Sequence, residues 1–400
     1  MFGLFSKQLE DFVILVDVGN GCITGGLCVF SKNEKPCFYY VTREFFTTED
    51  KIDIKRFESD MINLLDNVIL SITKNAWSHN YFKGKRKKIS KILISFSSPW
   101  FLSKTKAIHL ANDKEFVITK GFLDDLIKKE VDELETELKD EMENVELEIV
   151  EKSIIHSKIN GYILNESIGK NTKKFDASLY LSVVGKNFIH KIFDNLHKHT
   201  HISFQKILFH TFPLVLFSVV RDNFTTNSSF LLMDVTGEIT DITLVKDDMI
   251  EKTVSMPSGR NFILRQLSKK LSVTYEITES TLRLYSVGKL TEDMNSKVSE
   301  VLNEIEKEWA IYFENAILEL APDGKLPQEI FLTADNDMAH IFVEFLKIQK
   351  LDATATLRKQ LKLNYLDIEK LKTFFDNKSG FILDEFIVIL AIFYKKLLIN

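Results

Sequence analysis

The chain has 400 residues, of which 45% are hydrophobic and 27% are charged, with 15 glycines and 6 prolines. This composition excludes collagen-like, low-complexity and disordered chains, and the length predicts two or three domains. The net charge of −5 supplies no broad positive field, so nucleic acid is not an expected partner.

The cysteines and the first residues favour a cytoplasmic protein. Cys22, Cys28 and Cys37 are odd in number and lack the spacing of metal ligands, which excludes a disulfide framework and a zinc site. Glu10 and Asp11 interrupt the apolar residues at the start of the chain, so we expect no secretory signal.

A β-hairpin is the first predicted element. Residues 12–16 (FVILV) and 22–30 are apolar runs on either side of Asp17-Val18-Gly19-Asn20-Gly21, and this pattern predicts two strands whose turn presents Asp17. An amphipathic helix is predicted at residues 54–72 and a strand at 89–96.

A small α+β module is predicted next. It contains strands near residues 116–118, 145–156 and 175–184, and a charged helix at 121–138 that Thr119 caps. The module interrupts a larger unit, which resumes with a helix at 187–196.

The second half begins like the first. Residues 229–233, Asp234 with the turn that follows it, and residues 242–245 repeat the arrangement around Asp17, which suggests two related halves. Further predicted elements are helices at 261–271, 278–285, 292–320, 339–347 and 384–399, and a strand at 329–333.

Two hairpins that carry an aspartate and face each other would suit a nucleotide held between two lobes. Backbone N–H groups of the turns would bind phosphate oxygens, and Asp17 and Asp234 would hold a metal ion or orient a water. The alternative interpretation is that both aspartates only cap tight turns.

These motifs resemble the actin-like fold of DnaK-type chaperones and sugar kinases, and within it FtsA and PilM. Residues 12–30 resemble the first phosphate motif, 231–245 (LLMDVTGEITDITLV) the second, and 329–344 the adenosine motif. The inserted module resembles the FtsA subdomain, and the opening MFGLFSK is similar to PilM.

The resemblance implies an α/β fold with two actin-like lobes built on ribonuclease H-like repeats, and a small α+β subdomain inserted in the first lobe. The implied boundaries are 1–88 and 175–215 for the first lobe, 89–174 for the inserted subdomain, 216–378 for the second lobe, and 379–400 for a C-terminal helix that returns to the first lobe.

The resemblance also implies a set of site residues. Asp17, Asp234 and Asp241 would be catalytic, and Asp17 and Asp234 would meet Mg only through a nucleotide. The implied nucleotide contacts are Gly19, Asn20, Gly21, Thr236, Gly237, Thr240, Gly259, Arg260, Glu279 and Thr333.

Several positions depart from the family pattern. Thr236 and Glu238 flank a single Gly237 where the family has a glycine-rich run, and we expect the Glu238 carboxylate to repel phosphate. Other departures are Cys22, Ile239, Arg260 and Leu282, and Ala334 with Asp335 in place of the two glycines of the adenosine motif.

The sequence therefore predicts an FtsA- or PilM-like cytoplasmic adaptor with weak or lost ATP use. It would couple a cell-division or type IV pilus machine to the cytoplasm through protein partners, with possible self-association and only indirect membrane contact. ATP and Mg are the implied cofactors, and the departures leave open that neither is bound. The alternatives are a polymerising actin-like ATPase and a sugar-kinase-type phosphotransferase.

Overall fold

The computed structural model describes residues 10–49, 53–84, 88–141, 146–163, 167–349 and 361–399. The opening MFGLFSK, residues 85–87 and residues 142–145 therefore lie outside the described residues.

Strands and helices alternate through most of the described chain. The strands are β1 (Asp11–Val18), β2 (Cys22–Phe30), β3 (Cys37–Phe45), β4 (Lys91–Phe96), β5 (Leu102–Val117), β6 (Leu147–Ile159), β7 (Tyr162–Ile163), β8 (Asn171–Gly185), β9 (Ile207–Thr211), β10 (Phe230–Val235), β11 (Thr240–Lys246), β12 (Met249–Met256), β13 (Glu329–Ala334), β14 (Lys362–Tyr365) and β15 (Asp376–Asn377). The helices are α1 (Ile54–Asn75), α2 (Lys120–Glu141), α3 (Lys186–Thr200), α4 (Phe212–Asn223), α5 (Arg260–Leu271), α6 (Tyr275–Ser286), α7 (Glu292–Leu320), α8 (Ala339–Ile348), α9 (Ile368–Leu371) and α10 (Glu385–Ile399).

Two large sheets share one topology. The first has the order β15-β3-β2-β1-β4-β9 and the second the order β12-β11-β10-β13-β14. In each sheet a central strand, β1 or β10, pairs antiparallel with the strand that follows it and parallel with the next strand on its other side. The two predicted halves are thus confirmed as repeats of one strand order.

The first sheet packs closely on α1. The burial of β1 and β2 on both faces explains their apolar, β-branched sequences. Gly25 on β2 lies under α1, where a Cβ atom would come within 2.4 Å of a methyl carbon of Val68 and 2.9 Å of one of Ile72. Only glycine therefore allows this helix to approach the sheet so closely.

Helix α10 joins the two lobes. Its residues from Phe386 to Tyr394 are buried. They share one apolar core with α4, with Val13 and Leu15 of the first sheet, and with Phe230 of the second. The predicted buried helix at the end of the chain is therefore present and holds the lobes together. Among the helices described, none combines the length and the apolar run that a membrane span requires.

The inserted module is a separate four-stranded sheet of order β5-β8-β6-β7, with α2 packed on it. Thr119 caps α2 as predicted, accepting a hydrogen bond from the Phe122 N–H at 3.1 Å. The strand predicted near residues 116–118 is much longer, because β5 begins at Leu102. It is a largely exposed edge strand with many polar residues, which hide its apolar alternation.

The sheets also differ from the predicted boundaries of the insertion. Strand β4 falls after the predicted boundary at residue 89, but it pairs with β1 and β9 in the first large sheet. Strand β8 crosses the predicted boundary at residue 174, and it pairs with β5 and β6 over nearly its whole length. The inserted sheet therefore includes the two long strands, β5 and β8, that lead into and out of the module.

Candidate functional site

The turns of the two equivalent hairpins touch each other. A Cβ atom on Gly21 would lie 2.6 Å from Gly237 Cα, and one on Gly237 would lie 2.3 Å from Gly21 Cα. Such distances require the two backbones to be in van der Waals contact. The first lobe and the second lobe therefore meet at the place where the resemblance puts phosphates.

Asn20 fastens this contact with its side-chain amide. Its Nδ2 group donates to Thr236 Oγ1 and to the Ser98 carbonyl oxygen, both at 2.6 Å. Its Oδ1 atom accepts from the backbone N–H groups of Glu238 at 2.5 Å and of Ile239 at 3.3 Å. The amide of one buried side chain is thus used by both lobes.

Helix α5 occupies the other side of the second turn. The backbone N–H of Arg260 donates to the Thr236 carbonyl at 2.8 Å, and that of Asn261 donates to the Gly237 carbonyl at 2.7 Å. Gly259 allows this approach, since a Cβ atom there would lie 2.5 Å from the Thr236 oxygen. The N–H groups at the start of a helix are typical phosphate ligands, and here the turn itself binds them.

The carboxylate of Glu238, which we expected to repel phosphate, is paired with side chains of α5. Arg265 on α5 donates to both of its oxygens, at 3.0 and 2.7 Å, and the Asn261 side chain donates at 2.8 Å. Because this buried charge is paired, it stabilises the turn against α5.

Three buried carboxyl groups lie at the ends of the hairpin strands. Asp17, Asp234 and Asp241 are each 2–3% exposed. Ser95 donates to Asp17 at 2.7 Å, Thr333 to Asp234 at 3.0 Å, and Ser255 to Asp241 at 2.5 Å. The second oxygen of Asp234 has no hydrogen-bond partner among the described residues.

Burial shifts all three of these acids toward their neutral form. Burial raises the pKa of Asp17 to about 7, against the opposing effect of the Ser95 hydrogen bond. Burial also raises the pKa of Asp234 well above its usual range, and repulsion from Asp241 and Asp17 adds to that shift. Asp17 therefore lies close enough to Asp234 for its negative charge to disfavour ionisation of Asp234.

A second cluster lies in a cleft of about 960 Å³ between β3, α6 and the segment before α10. Arg43 donates to Asp335 at 2.5 Å, lies 3.6 Å from Asp384, and donates to Cys22 Sγ at 2.8 and 3.1 Å. Thr24 also donates to Asp384, at 2.6 Å. This cluster joins the first lobe to the loop after β13 in the second.

Arg260 makes the matching contacts on the second lobe. Its guanidinium donates to Glu279 at 3.2 Å and to Asp337 at 3.1 Å. Arg260 and Glu279 thus lie together in the cleft, where the resemblance places ribose and base contacts, and they bind each other.

The structure separates the predicted site residues into two groups. The residues at or beside the touching turns are Gly19, Asn20, Gly21, Thr236, Gly237, Thr240, Gly259, Asp17, Asp234, Asp241 and Thr333. Arg260 and Glu279 line the cleft.

Sequence reasoning did not select Arg43, Asp384 or Glu385 as site residues. Arg43 lies on an ordinary strand, and Asp384 and Glu385 open an apolar helix, so no local motif marks them.

The turns as they lie do not fit a nucleotide phosphate. The N–H groups of Glu238, Ile239, Arg260 and Asn261 are already paired, and the glycine backbones are in contact. Within the described ranges no group of three or more histidine, cysteine or acidic side chains is arranged to hold a metal ion.

Comparison with known proteins identifies the fold. No protein-family model matches the sequence, and no curated protein matches it. The solved PilM–PilN type IV pilus biogenesis complex matches with a TM-score of 0.57 and 10% identity, over 97% of this chain and 98% of that chain.

Two weaker structural matches are an ethanolamine utilization protein EutJ from Carboxydothermus hydrogenoformans and a Bacteroides thetaiotaomicron protein with an actin-like ATPase fold. The EutJ match has a TM-score of 0.43 and 10% identity, over 96% of this chain and 89% of that chain. The Bacteroides match has a TM-score of 0.42 and 9% identity, over 98% of this chain and 99% of that chain. The strand order and the full-length match confirm the predicted fold: the chain is a two-lobed actin-like protein with the fold of PilM and an inserted α+β sheet.

Proposed function

We propose that this protein is an actin-fold adaptor that uses ATP weakly or not at all and links a membrane-associated machine to the cytoplasm through protein contacts. The observation that carries the proposal is the direct contact of the two hairpin turns through Gly21, Gly237 and Asn20. An adaptor needs a fixed arrangement of lobes, and these contacts supply one without a nucleotide.

The match to PilM supports the adaptor part of the proposal. That structure is a complex of PilM with PilN in type IV pilus biogenesis, and it resembles this chain over nearly its whole length. We therefore propose a protein partner for this chain as well, with a pilus machine ahead of a division machine. The inserted sheet with α2 is the proposed docking unit, because Asp125 and Asp132 are exposed on one face of α2.

The alternative function is a Mg-ATP-dependent polymerising ATPase, with a sugar-kinase-type phosphotransferase less favoured. One observation supports these alternatives: Asp17 and Asp234 occupy equivalent strand ends, as metal-side carboxylates would. ATP turnover would require the turns to separate and Asn20 to release Glu238.

Two experiments test the proposal. Steady-state ATP hydrolysis by the full chain, measured with Mg, should not exceed that of an Asp17→Asn, Asp234→Asn double variant; a rate that the double variant abolishes would favour the ATPase. For the partner, proximity labelling in cells should mark membrane-machine proteins around the full chain.

Charge-reversal variants then locate the docking surface. The variant Asp125→Lys, Asp132→Lys should lose that labelling, whereas Asp293→Lys, Glu300→Lys should keep it. The control makes the same charge change at the same spacing on the exposed face of α7. Equal labelling by both variants would contradict a docking role for α2.

A further inference from the structure

The cleft between the lobes carries an excess of negative charge. Six carboxylic acids and three arginines line it: Glu276, Glu279, Asp335, Asp337, Asp384 and Glu385 with Arg43, Arg260 and Arg283. Arg43 lies between two of the carboxylates and Arg260 between two others. Since one guanidinium cannot neutralise two carboxylates, each of these clusters keeps a net negative charge.

Glu385 adds an incompletely satisfied acid to this cleft. Its side chain lines the cleft although the residue is 0% exposed. Tyr365 donates to one oxygen at 3.3 Å, and the other oxygen has no hydrogen-bond partner among the described residues. A buried polar atom without a partner is unfavourable, so a donor that reaches it would be favoured.

The groups around Glu385 hold its carboxyl in the neutral form. Burial raises its pKa to about 8, and repulsion from Asp384 and Asp335 adds to the shift. Arg43 on β3 contacts both of those aspartates, and Tyr365 faces Glu385 from β14. A cation placed beside Glu385 would lower this pKa and release the proton.

The rim of the cleft is apolar. Phe45, Phe381 and Ile382 line it and are 55%, 51% and 93% exposed. The guanidinium carbon of Arg43 lies 4.8 Å from the centre of the Phe45 ring, so this rim already stacks on one cation. An apolar rim above an acidic floor suits a positively charged group on an aliphatic chain.

We propose that this cleft binds a guanidinium or alkylammonium group on an aliphatic chain. The group belongs either to a free small amine or to an arginine or lysine side chain of a partner. The inference rests on the proposed function, because a cleft that held ATP would not be free for a cation. Polyphosphate is negatively charged like these carboxylates, so they do not favour its binding.

Titration calorimetry of the full chain with agmatine tests the proposal. We expect saturable binding at neutral pH that weakens at high salt. Repeating the titration in buffers of different ionisation enthalpy should show release of up to one proton per cation, because Glu385 ionises. Glu385→Gln should weaken binding about tenfold or more and abolish the proton release, with an unchanged melting temperature.

A control variant tests whether binding is specific to the cleft, and a second ligand tests whether the cation is a small amine or a partner side chain. Glu300→Gln, on the exposed face of α7, should bind agmatine like the native chain. Equal affinity of a blocked arginine amide and agmatine would identify a partner side chain as the source, and a preference for agmatine would identify a small amine. Absence of binding by the folded chain, or equal binding by Glu385→Gln, would overturn the inference.

A Mg-ATP titration in the same series keeps the two proposals distinguishable. Tight Mg-ATP binding contradicts the proposed function, and the inference falls with it. Absence of both agmatine and Mg-ATP binding contradicts only the cation site.

Discussion

Asn20 Oδ1 lies 2.5 Å from the backbone nitrogen of Glu238, so a side chain of the first lobe completes the turn of the second. The same amide donates to Thr236 and Ser98. This arrangement gives the chain its own bridge between the lobes, at the turns that the sequence resemblance assigns to phosphate binding.

Removing this bridge should destabilise the protein. Asn20→Ala deletes one donor group and one acceptor and leaves the buried N–H of Glu238 without a partner, so we expect a loss of about 2–4 kcal/mol in the free energy of unfolding. Urea unfolding measures it. Asn295→Ala on the exposed face of α7 is the control and should not lose stability. Equal stability of the two variants would show that Asn20 does not join the lobes.

The contact between the glycines should be sensitive to one methyl group. Gly237→Ala places a Cβ 2.3 Å from Gly21 Cα, and the turns must separate to admit it. We expect a larger radius of gyration in X-ray scattering and a lower melting temperature. Gly121→Ala, in the first turn of α2, places its Cβ no closer than 4.0 Å to a neighbouring atom, Thr119 Oγ1, and should be neutral or stabilising by about 0.5–1 kcal/mol.

The buried acid Asp17 should make stability fall with rising pH. Its folded pKa is about 7 against an ordinary value of 3.8, so its stabilising contribution is full below about pH 4 and is lost as pH rises to about 7. Asp17→Asn should therefore unfold with a free energy higher by up to about 4 kcal/mol at pH 8.

Thermal or urea unfolding between pH 4 and pH 8 measures this effect. The decline with pH should be smaller in Asp17→Asn than in the native chain, and Asp194→Asn on the exposed face of α3 should retain the full decline. A lower stability of Asp17→Asn at pH 8 would show that the ionised carboxylate is compensated by a partner and not merely buried.

Arg43 and Asp335 should be energetically coupled across the lobes. Their side chains are 24% and 16% exposed and lie 2.5 Å apart. A double-mutant cycle with Arg43→Met and Asp335→Asn should give a coupling free energy of about 1–3 kcal/mol. Additive effects of the two substitutions would place the restraint between the lobes elsewhere.

Glu151 should fix the inserted sheet on the first lobe. From β6 it accepts hydrogen bonds from His210 at 2.6 Å, from Ser182 at 3.2 Å, and from the Thr211 hydroxyl and N–H at 2.7 and 3.0 Å. Glu151→Ala should cost about 2–4 kcal/mol. Hydrogen exchange should increase in β6 and β9 but not in α7, and a uniform increase would mean only general destabilisation.

The sequence predicted the elements that repeat or alternate clearly. The hairpins around Asp17 and Asp234 were recognised because apolar strands flank polar, glycine-containing turns. Helix α7 has the predicted bounds, since its apolar stripe extends over many turns. The edge strand β5 was seen only at its end, and β14 and β15 were not predicted. These strands are exposed or short, so their residues carry little periodic signal.

The chemistry of the site was less predictable than its position. The sequence placed Glu238 at the second turn but could not show that Arg265, 27 residues later, would bind its carboxylate. The pairing of Arg43 with Asp335 joins residues 292 positions apart, and no local pattern encodes it. Long-range ion pairs of this kind depend on how the lobes close, which only the assembled fold determines.

Thermal unfolding of the full chain with and without saturating Mg-ATP tests the central claim most directly. If the touching turns replace a bound nucleotide, Mg-ATP should leave the melting temperature of the native chain unchanged. It should also not raise the melting temperature of Asn20→Ala in the way that tight binding would. A saturable increase, corresponding to about 2.7 kcal/mol at one hundred times the dissociation constant, would show that ATP separates these turns and would contradict the account.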